Sequence, residues 1–145
     1  MPSSSELFTL RGTTMTSRPL RVLVAEDDAE MRALLVEALR GDGFEVLEAR
    51  HGSELMQLLA ARLDEGGELR MLDLLVSDVR MPGWSGLDVL QALREVHARI
   101  PVILITAFGD AELHARAREY GACVMFDKPF DVDDLRTAVV NALSG

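Results

Sequence analysis

Residues 101–106 are Pro101-Val102-Ile103-Leu104-Ile105-Thr106, an uninterrupted apolar run that ends in a hydroxyl group. Such a run is typical of a strand that helices cover on both faces, because a strand with one solvent-exposed face alternates apolar and polar residues. Four similar runs lie elsewhere in the chain, at Leu20–Ala25, Phe44–Ala49, Leu72–Ser77 and Ala122–Phe126. The sequence therefore predicts an α/β domain with five strands in a mainly parallel sheet.

Helical patterns separate these runs. The clearest is formed by apolar side chains spaced three and four residues apart, at Met31, Leu34, Leu35, Ala38 and Leu39. Ser and Asp residues favour the first turn of a helix, and they predict helix starts at Asp28, near Ser53, near Ser85, at Asp110 and at Asp131. Right-handed crossovers then place helices on both faces of the sheet, and ligands of such sheets bind beyond the carboxyl ends of the strands.

Length and charge limit the classes of protein that this chain can represent. Its 145 residues make one domain of ordinary size, and a formal charge of −9 opposes binding to nucleic acid or to an anionic membrane. The first 18 residues are polar and lack an apolar stretch long enough for a signal peptide or a membrane span. We expect a disordered tail over 1–18, a domain over 19–145 and a cytoplasmic location. Cys123 lies in an apolar run, so we expect it to be buried.

Chemically reactive side chains follow the predicted strands. Glu26 and Asp27 come after the first strand, Asp78 after the third, Thr106 at the end of the fourth and Lys128 after the fifth. These side chains are expected to meet at one edge of the sheet. Carboxylates held this close repel one another unless a cation lies among them, and hard oxygen ligands favour Mg²⁺. We expect Asp27 and Asp78 to bind the ion directly and Glu26 to bind it through water.

The same group can support phosphoryl chemistry. Asp78 can act as a nucleophile that forms an acyl phosphate. Lys128 can place its ammonium group on one phosphoryl oxygen, and Thr106 can donate its hydroxyl to another. Lys128 is the only lysine beside fourteen arginines, and a compact ammonium suits this role better than a wide guanidinium. The histidines have no metal-ligand spacing and no cysteine partner, so we expect no metal or phosphohistidine role for them.

Four motifs occur together over residues 20 to 143. They are Val22-Leu23-Val24-Ala25-Glu26-Asp27-Asp28, Asp73-Leu74-Leu75-Val76-Ser77-Asp78-Val79-Arg80-Met81-Pro82-Gly83, Pro101-Val102-Ile103-Leu104-Ile105-Thr106-Ala107 and Asp127-Lys128-Pro129-Phe130. This combination resembles the receiver domain of two-component response regulators, of the kind seen in the chemotaxis regulator. The resemblance implies a flavodoxin-like, doubly wound fold with five parallel strands in the order 2-1-3-4-5.

The resemblance also implies roles for single residues. Asp78 is the implied phosphoacceptor, and Lys128 is the implied partner of the phosphoryl group. Glu26 and Asp27 are the implied acidic pair for Mg²⁺. A further ligand is the backbone carbonyl of Arg80.

Further implied features concern switching. Thr106 is the implied switch hydroxyl, and the Lys128–Pro129 peptide bond is expected to be cis. The family commonly has Tyr or Phe three residues before the lysine, but this chain has Met125. Coupling from the site to the surface is then either weaker than in the family or runs through Phe108, and we favour Phe108. The connection over Leu63–Met71 is several residues longer than usual, which is typical of a surface loop.

The function implied is that of an apparently stand-alone phosphoacceptor in a two-component or phosphorelay system. A histidine kinase or a histidine phosphotransfer protein is the expected donor, and a downstream protein is the expected target. The chain is expected to assist its own phosphotransfer and autodephosphorylation without being an enzyme, as a monomer or a phosphorylation-dependent dimer. An alternative is a phosphorylation-independent pseudo-receiver that binds protein. A Mg²⁺-dependent phosphohydrolase or a flavin protein fits less well, because the first loop is acidic and its acids are consecutive.

Overall fold

The computed structural model describes residues 8–9, 14–15 and 18–144. Its main sheet has five parallel strands in the order β2-β1-β3-β4-β5. They are β1 (Arg21–Ala25), β2 (Glu45–Ala49), β3 (Leu74–Asp78), β4 (Val102–Thr106) and β5 (Val124–Asp127). The helices of the described residues are α1 (Ala29–Gly41), α2 (Gly52–Arg62), α3 (Gly86–Glu95), α4 (Ala111–Glu119) and α5 (Val132–Ser144).

The predicted tail is only partly described. Phe8–Thr9 and Thr14–Met15 pair as two short antiparallel strands, separate from the main sheet. Apart from these and Arg18, the tail lies outside the described residues. Its disorder stays a prediction.

Two apolar clusters cover the two faces of the sheet. Val22 and Val24 of β1 pack with α1 and α5, whereas Leu23 and Ala25 of the same strand belong to the cluster that contains residues of α2, α3 and α4. This alternation follows from the two-residue period of a strand. The prediction of a doubly wound, flavodoxin-like sheet with the order 2-1-3-4-5 is confirmed. In the described residues, no helix is long and apolar enough to cross a membrane.

Side-chain caps begin most of the helices at the predicted positions. Asp28 accepts a hydrogen bond from the Met31 amide at 3.0 Å, and Asp110 accepts one from the Leu113 amide at 2.9 Å. Ser85 forms a capping box at the start of α3. The start of α2 differs from the prediction, because the helix begins at Gly52 and its cap is the imidazole of His51 rather than Ser53. A cap needs only an acceptor in reach, and imidazole nitrogen supplies one.

Three helices end in the same hydrogen-bonding pattern. After α3, the His97 amide donates to the Arg94 carbonyl at 3.0 Å, and the Ala98 amide donates to the Leu93 carbonyl at 2.9 Å. This is a Schellman motif, whose turning residue adopts a positive φ. Glycine takes that position after α1 and α4, at Gly43 and Gly121, but α3 uses His97 with a φ of 61°.

Cys123 does not follow the sequence prediction. The structure leaves it exposed, although its backbone amide donates to the Val102 carbonyl at 2.8 Å. The physical reason is that it precedes β5, an edge strand, and that α4 buries only Ala117 of its own residues. The expectation of a buried Cys123 was therefore wrong.

Candidate functional site

Strand register brings the acidic side chains together. Ala25 of β1 lies opposite Ser77 of β3, so the residues that follow in register are Glu26 and Asp78. Glu26 and Asp78 are buried, while Asp27 is exposed. Carboxylate oxygens of these three residues lie within 4.8 Å of one another. The cluster predicted from the sequence is thus assembled at the carboxyl ends of β1 and β3.

Lys128 directly follows the edge strand β5, which β4 separates from β3, and its side chain reaches this cluster. Its Nζ donates to Glu26 Oε1 at 3.1 Å and to Asp78 Oδ2 at 3.0 Å. Its backbone amide donates to the Thr106 carbonyl at 2.7 Å, which fixes the start of the connection to α5. The Lys128–Pro129 peptide bond is cis.

The electrostatics of the cluster are unbalanced. Burial, followed by the hydrogen bond with Asp78, raises the pKa of Glu26 from its ordinary 4.5 to about 7, although the hydrogen bonds from Asp28 and Lys128 oppose this. Burial lowers the pKa of Lys128, but its hydrogen bonds to Asp78 and Glu26 outweigh burial and the net pKa is raised. One ammonium thus faces three carboxyl groups. The arrangement can accept further positive charge.

Mg²⁺ fits this donor set. The three groups offer only carboxylate oxygens, which a hard cation prefers. The exposed side chain of Asp27 leaves one side of the cluster open to water, and Mg²⁺ usually keeps several waters. The Arg80 amide donates to Asp78 Oδ1 at 3.0 Å, which places the backbone of Arg80 beside the cluster. Its carbonyl as a ligand stays a prediction.

Thr106 and Phe108 form the neighbouring loop. Thr106 is fully buried, and its Oγ1 accepts a hydrogen bond from the Phe108 amide at 3.2 Å. Phe108 itself is 71% exposed, and the Arg80 guanidinium lies 5.5 Å from the centre of its ring. The loops that follow β3 and β4 therefore touch each other next to Asp78.

Comparison with known proteins identifies the family to which this chain belongs. The model for the response regulator receiver domain matches residues 22–140, most of the chain. The chain belongs to this family. Receiver domains are phosphoacceptor signalling domains of two-component systems rather than classical enzymes, and they generally bind Mg²⁺ through acidic residues.

Relatives and solved structures agree with this assignment. The receiver is 35% identical over 123 residues to the DNA-binding transcriptional regulator NtrC of Escherichia coli K12, covering 85% of this chain and 24% of NtrC. It is 29% identical to sporulation initiation phosphotransferase F of Bacillus subtilis, covering 82% of this chain and 90% of that protein. A response regulator receiver domain from Clostridium thermocellum superposes with a TM-score of 0.76 at 27% identity, covering 86% and 94% of the two chains. The chain thus spans about a quarter of the length of NtrC.

Met125 occupies the position where the family commonly has an aromatic residue. Met125 lies in β5 opposite Leu104 of β4, and it packs with the cluster on the α4 side of the sheet. Phe126 belongs to the cluster on the other face, where its ring centre lies 5.6 Å from that of Phe130. An aromatic ring from Phe126 therefore does not reach the α4 side of this receiver.

A pair of residues that the sequence did not reveal joins α4 to β5. His114 Nε2 lies 3.1 Å from Asp127 Oδ1 and 3.0 Å from Oδ2. Gly109 allows this approach, since a Cβ there would lie 2.2 Å from Asp127 Oδ1. Asp127 is the last residue of β5 and directly precedes Lys128, so this contact joins α4 to the end of the strand that leads to the lysine. The two residues are 13 positions apart, and only the packing of α4 brings them together.

Proposed function

We propose that this receiver takes a phosphoryl group from a phosphohistidine onto Asp78 in a two-component or phosphorelay system. One observation carries the proposal: the Lys128 ammonium binds both Glu26 and Asp78, residues 102 and 50 positions away in the chain. Such a convergence of one cation and several carboxylates matches the needs of phosphoryl transfer, in which positioning and charge neutralisation do most of the work.

The reaction would proceed as a displacement at phosphorus. A carboxylate oxygen of Asp78 forms the new bond while the phosphorus–nitrogen bond of the phosphohistidine breaks and the imidazole nitrogen keeps the electron pair. Lys128 turns from Asp78 Oδ2 to a phosphoryl oxygen, which frees that oxygen and neutralises charge on the transferred group. Asp27, Glu26 and Asp78 would hold Mg²⁺, with the Arg80 carbonyl as a further ligand. The ion would supply positive charge to the phosphoryl oxygens.

Switching would follow from a change of hydrogen-bond partner at Thr106. In the structure described here its hydroxyl oxygen accepts from the Phe108 amide. When the hydroxyl turns towards a phosphoryl oxygen, this bond is lost and Phe108 can leave its place beside Arg80. The loop leads directly into α4, which buries only Ala117 and is therefore easily displaced. The surface near α4 would carry the output to a downstream protein.

The partners of the proposal are those of a phosphoacceptor. A histidine kinase or a histidine phosphotransfer protein donates the phosphoryl group. The similarity to sporulation initiation phosphotransferase F of Bacillus subtilis supports a relay. The same proposal includes a cytoplasmic location and autodephosphorylation. It also includes action without direct binding to nucleic acid or membrane, as a monomer or a phosphorylation-dependent dimer. A pseudo-receiver is the alternative. We favour phosphorylation because Asp27, Asp78, Thr106 and Lys128 are all present.

Phosphotransfer profiling tests the proposal. Candidate histidine kinases and phosphotransfer proteins carrying labelled phosphohistidine are mixed with the wild type, with Asp78→Asn and with Asp134→Asn. Asp134 is an exposed residue of α5 and serves as the matched control. We expect Mg²⁺-dependent labelling of the wild type and of Asp134→Asn only. Equal labelling of Asp78→Asn would overturn the assignment of the phosphoacceptor.

A further inference from the structure

A charged cavity lies near the amino ends of the strands, at the end of the sheet opposite to Asp78. It measures about 350 Å³ and is lined by Arg21, Ala61, Arg62, Arg70 and Met71. Arg21 begins β1 and Arg62 ends α2, so the cavity borders the amino ends of the strands. Three arginines line this cavity in a chain whose formal charge is −9.

The backbone places Arg62 and Arg70 directly opposite each other. Leu63 and Leu69 form an antiparallel bridge, and the Arg70 amide donates to the Arg62 carbonyl at 2.9 Å. The two arginines are therefore neighbours at the backbone, and both line the cavity. Two like charges in that arrangement repel each other. The charged residues in the lining of the cavity are thus all basic, whereas the acidic residues of the connection over 63–71, Asp64, Glu65 and Glu68, are not part of its lining.

Among these three arginines, acidic side chains of the described residues form an ion pair only with Arg21. Arg21 donates hydrogen bonds from its Nε and Nη2 to Glu45 Oε1. Arg62 and Arg70 form no ion pair within the part of the chain that the structure describes. A guanidinium has five N–H donors. Arg62 uses one of them, with its Nη1 lying 3.4 Å from the Leu58 carbonyl.

Two more details point to a missing acceptor. Arg62 Nε is buried and has no hydrogen-bond partner among the described atoms. A buried donor without an acceptor costs free energy, and native structures rarely leave one unsatisfied. Met71, also in the lining, has a φ of 61°, a strained value for a residue with a side chain. Strain of this kind tends to occur at ligand sites.

The end of α2 explains only one of these charges. A cation in the last turn of a helix interacts favourably with the helix dipole, and Arg62 holds that position. Arg70 lies outside the helices and has no such partner. The pairing of both guanidiniums in one cavity therefore needs another explanation.

We propose that this cavity binds the phosphate group of a small molecule, at a site separate from Asp78. A dianionic phosphate offers acceptors to more than one guanidinium at once, whereas a single carboxylate matches one fork. Inorganic phosphate and a small phosphate monoester such as a nucleoside monophosphate share this chemistry. The site would let the level of such a molecule stabilise the long connection over 63–71 and the end of α2.

Nuclear magnetic resonance of the arginine Nε–Hε groups tests the proposal. The full chain, labelled with nitrogen-15 and kept in EDTA, is titrated with inorganic phosphate and, in a second arm, with adenosine monophosphate. The same titrations of Asp78→Asn exclude binding at the phosphoacceptor. We expect saturable shifts of the Arg62 and Arg70 signals in both proteins. Tighter binding of the nucleotide would identify an organic phosphate as the ligand, and equal binding would identify phosphate itself.

Matched variants decide the outcome. Arg62→Gln and Arg70→Gln should each weaken binding by roughly tenfold or more, because each removes charge-assisted hydrogen bonds. Arg118→Gln, which removes the same charge from exposed Arg118 of α4, should bind as the wild type does. Arg70→Lys keeps the charge but not the planar fork and should bind between these limits. Shifts that do not saturate, or equal affinities in all variants, would overturn the proposal.

Discussion

The buried carboxyl group of Glu26 should make the stability of the metal-free protein fall as pH rises. Burial and the neighbouring Asp78 raise the pKa of Glu26 from 4.5 to about 7. Between these two values the folded state keeps a proton that the unfolded state has released, so the contribution of Glu26 to stability is fully present below pH 4.5 and is lost as pH rises towards 7. Each pH unit corresponds to about 1.4 kcal/mol, so the interval between the two pKa values corresponds to about 3 kcal/mol.

Replacement of Glu26 by Gln isolates this contribution. The amide of Glu26→Gln does not titrate, so the free energy of unfolding of the variant, relative to the wild type, should rise by up to about 3 kcal/mol between pH 5 and pH 8. The comparison uses urea unfolding in EDTA at four pH values, followed by circular dichroism. Glu37→Gln, at an exposed residue of α1, is the control for the loss of one carboxyl group, and its difference from the wild type should change with pH much less than that of Glu26→Gln.

Two results would contradict a raised pKa of Glu26 in the folded state. One is a difference between Glu26→Gln and the wild type that stays constant over this pH range. The other is a wild type that gains stability relative to the variant as pH rises, since this would mean that folding lowers the pKa of Glu26.

Three further predictions concern the ion, the switch and a helix end. Mg²⁺ should raise the melting temperature of the wild type and have little effect on Asp27→Ala, and an equal rise in both would place the ion elsewhere. Beryllofluoride, a stand-in for the phosphoryl group, should shift the backbone amide signals of α4. If Phe108 carries the coupling, Phe108→Ala should abolish these shifts while phosphorylation of Asp78 stays intact. If the flexible packing of Met125 limits the coupling, Met125→Tyr should enlarge the shifts. His97→Gly should stabilise the protein by about 0.5–1 kcal/mol in urea unfolding, because glycine accepts the positive φ that costs other residues more. His97→Ala, which keeps that cost, should give no such gain.

The fold could be predicted because each strand carries its own signal. The run Val102-Ile103-Leu104-Ile105 is apolar throughout, and all four side chains are buried between helices on the two faces. The carboxyl ends of parallel strands meet at one edge, so Asp78 and Lys128 could be placed together without knowledge of the packing. Local composition and topology sufficed for both steps.

Other features depended on packing that a single sequence does not encode locally. Cys123 is exposed because the neighbouring α4 covers the edge of the sheet thinly. The His114–Asp127 contact requires Gly109 to let two elements approach. Arg62 and Arg70 face each other only because the connection between them folds back at the Leu63–Leu69 bridge. In each case the decisive partner is distant in the sequence.

Intact-mass spectrometry after treatment with acetyl phosphate shows directly whether Asp78 accepts a phosphoryl group. The full chain is incubated with acetyl phosphate and Mg²⁺, because the site carries its own groups for phosphoryl transfer. We expect one added phosphoryl group on the wild type, none on Asp78→Asn and none on the wild type in EDTA. Addition of the phosphoryl group to Asp78→Asn at the wild-type level would contradict this expectation.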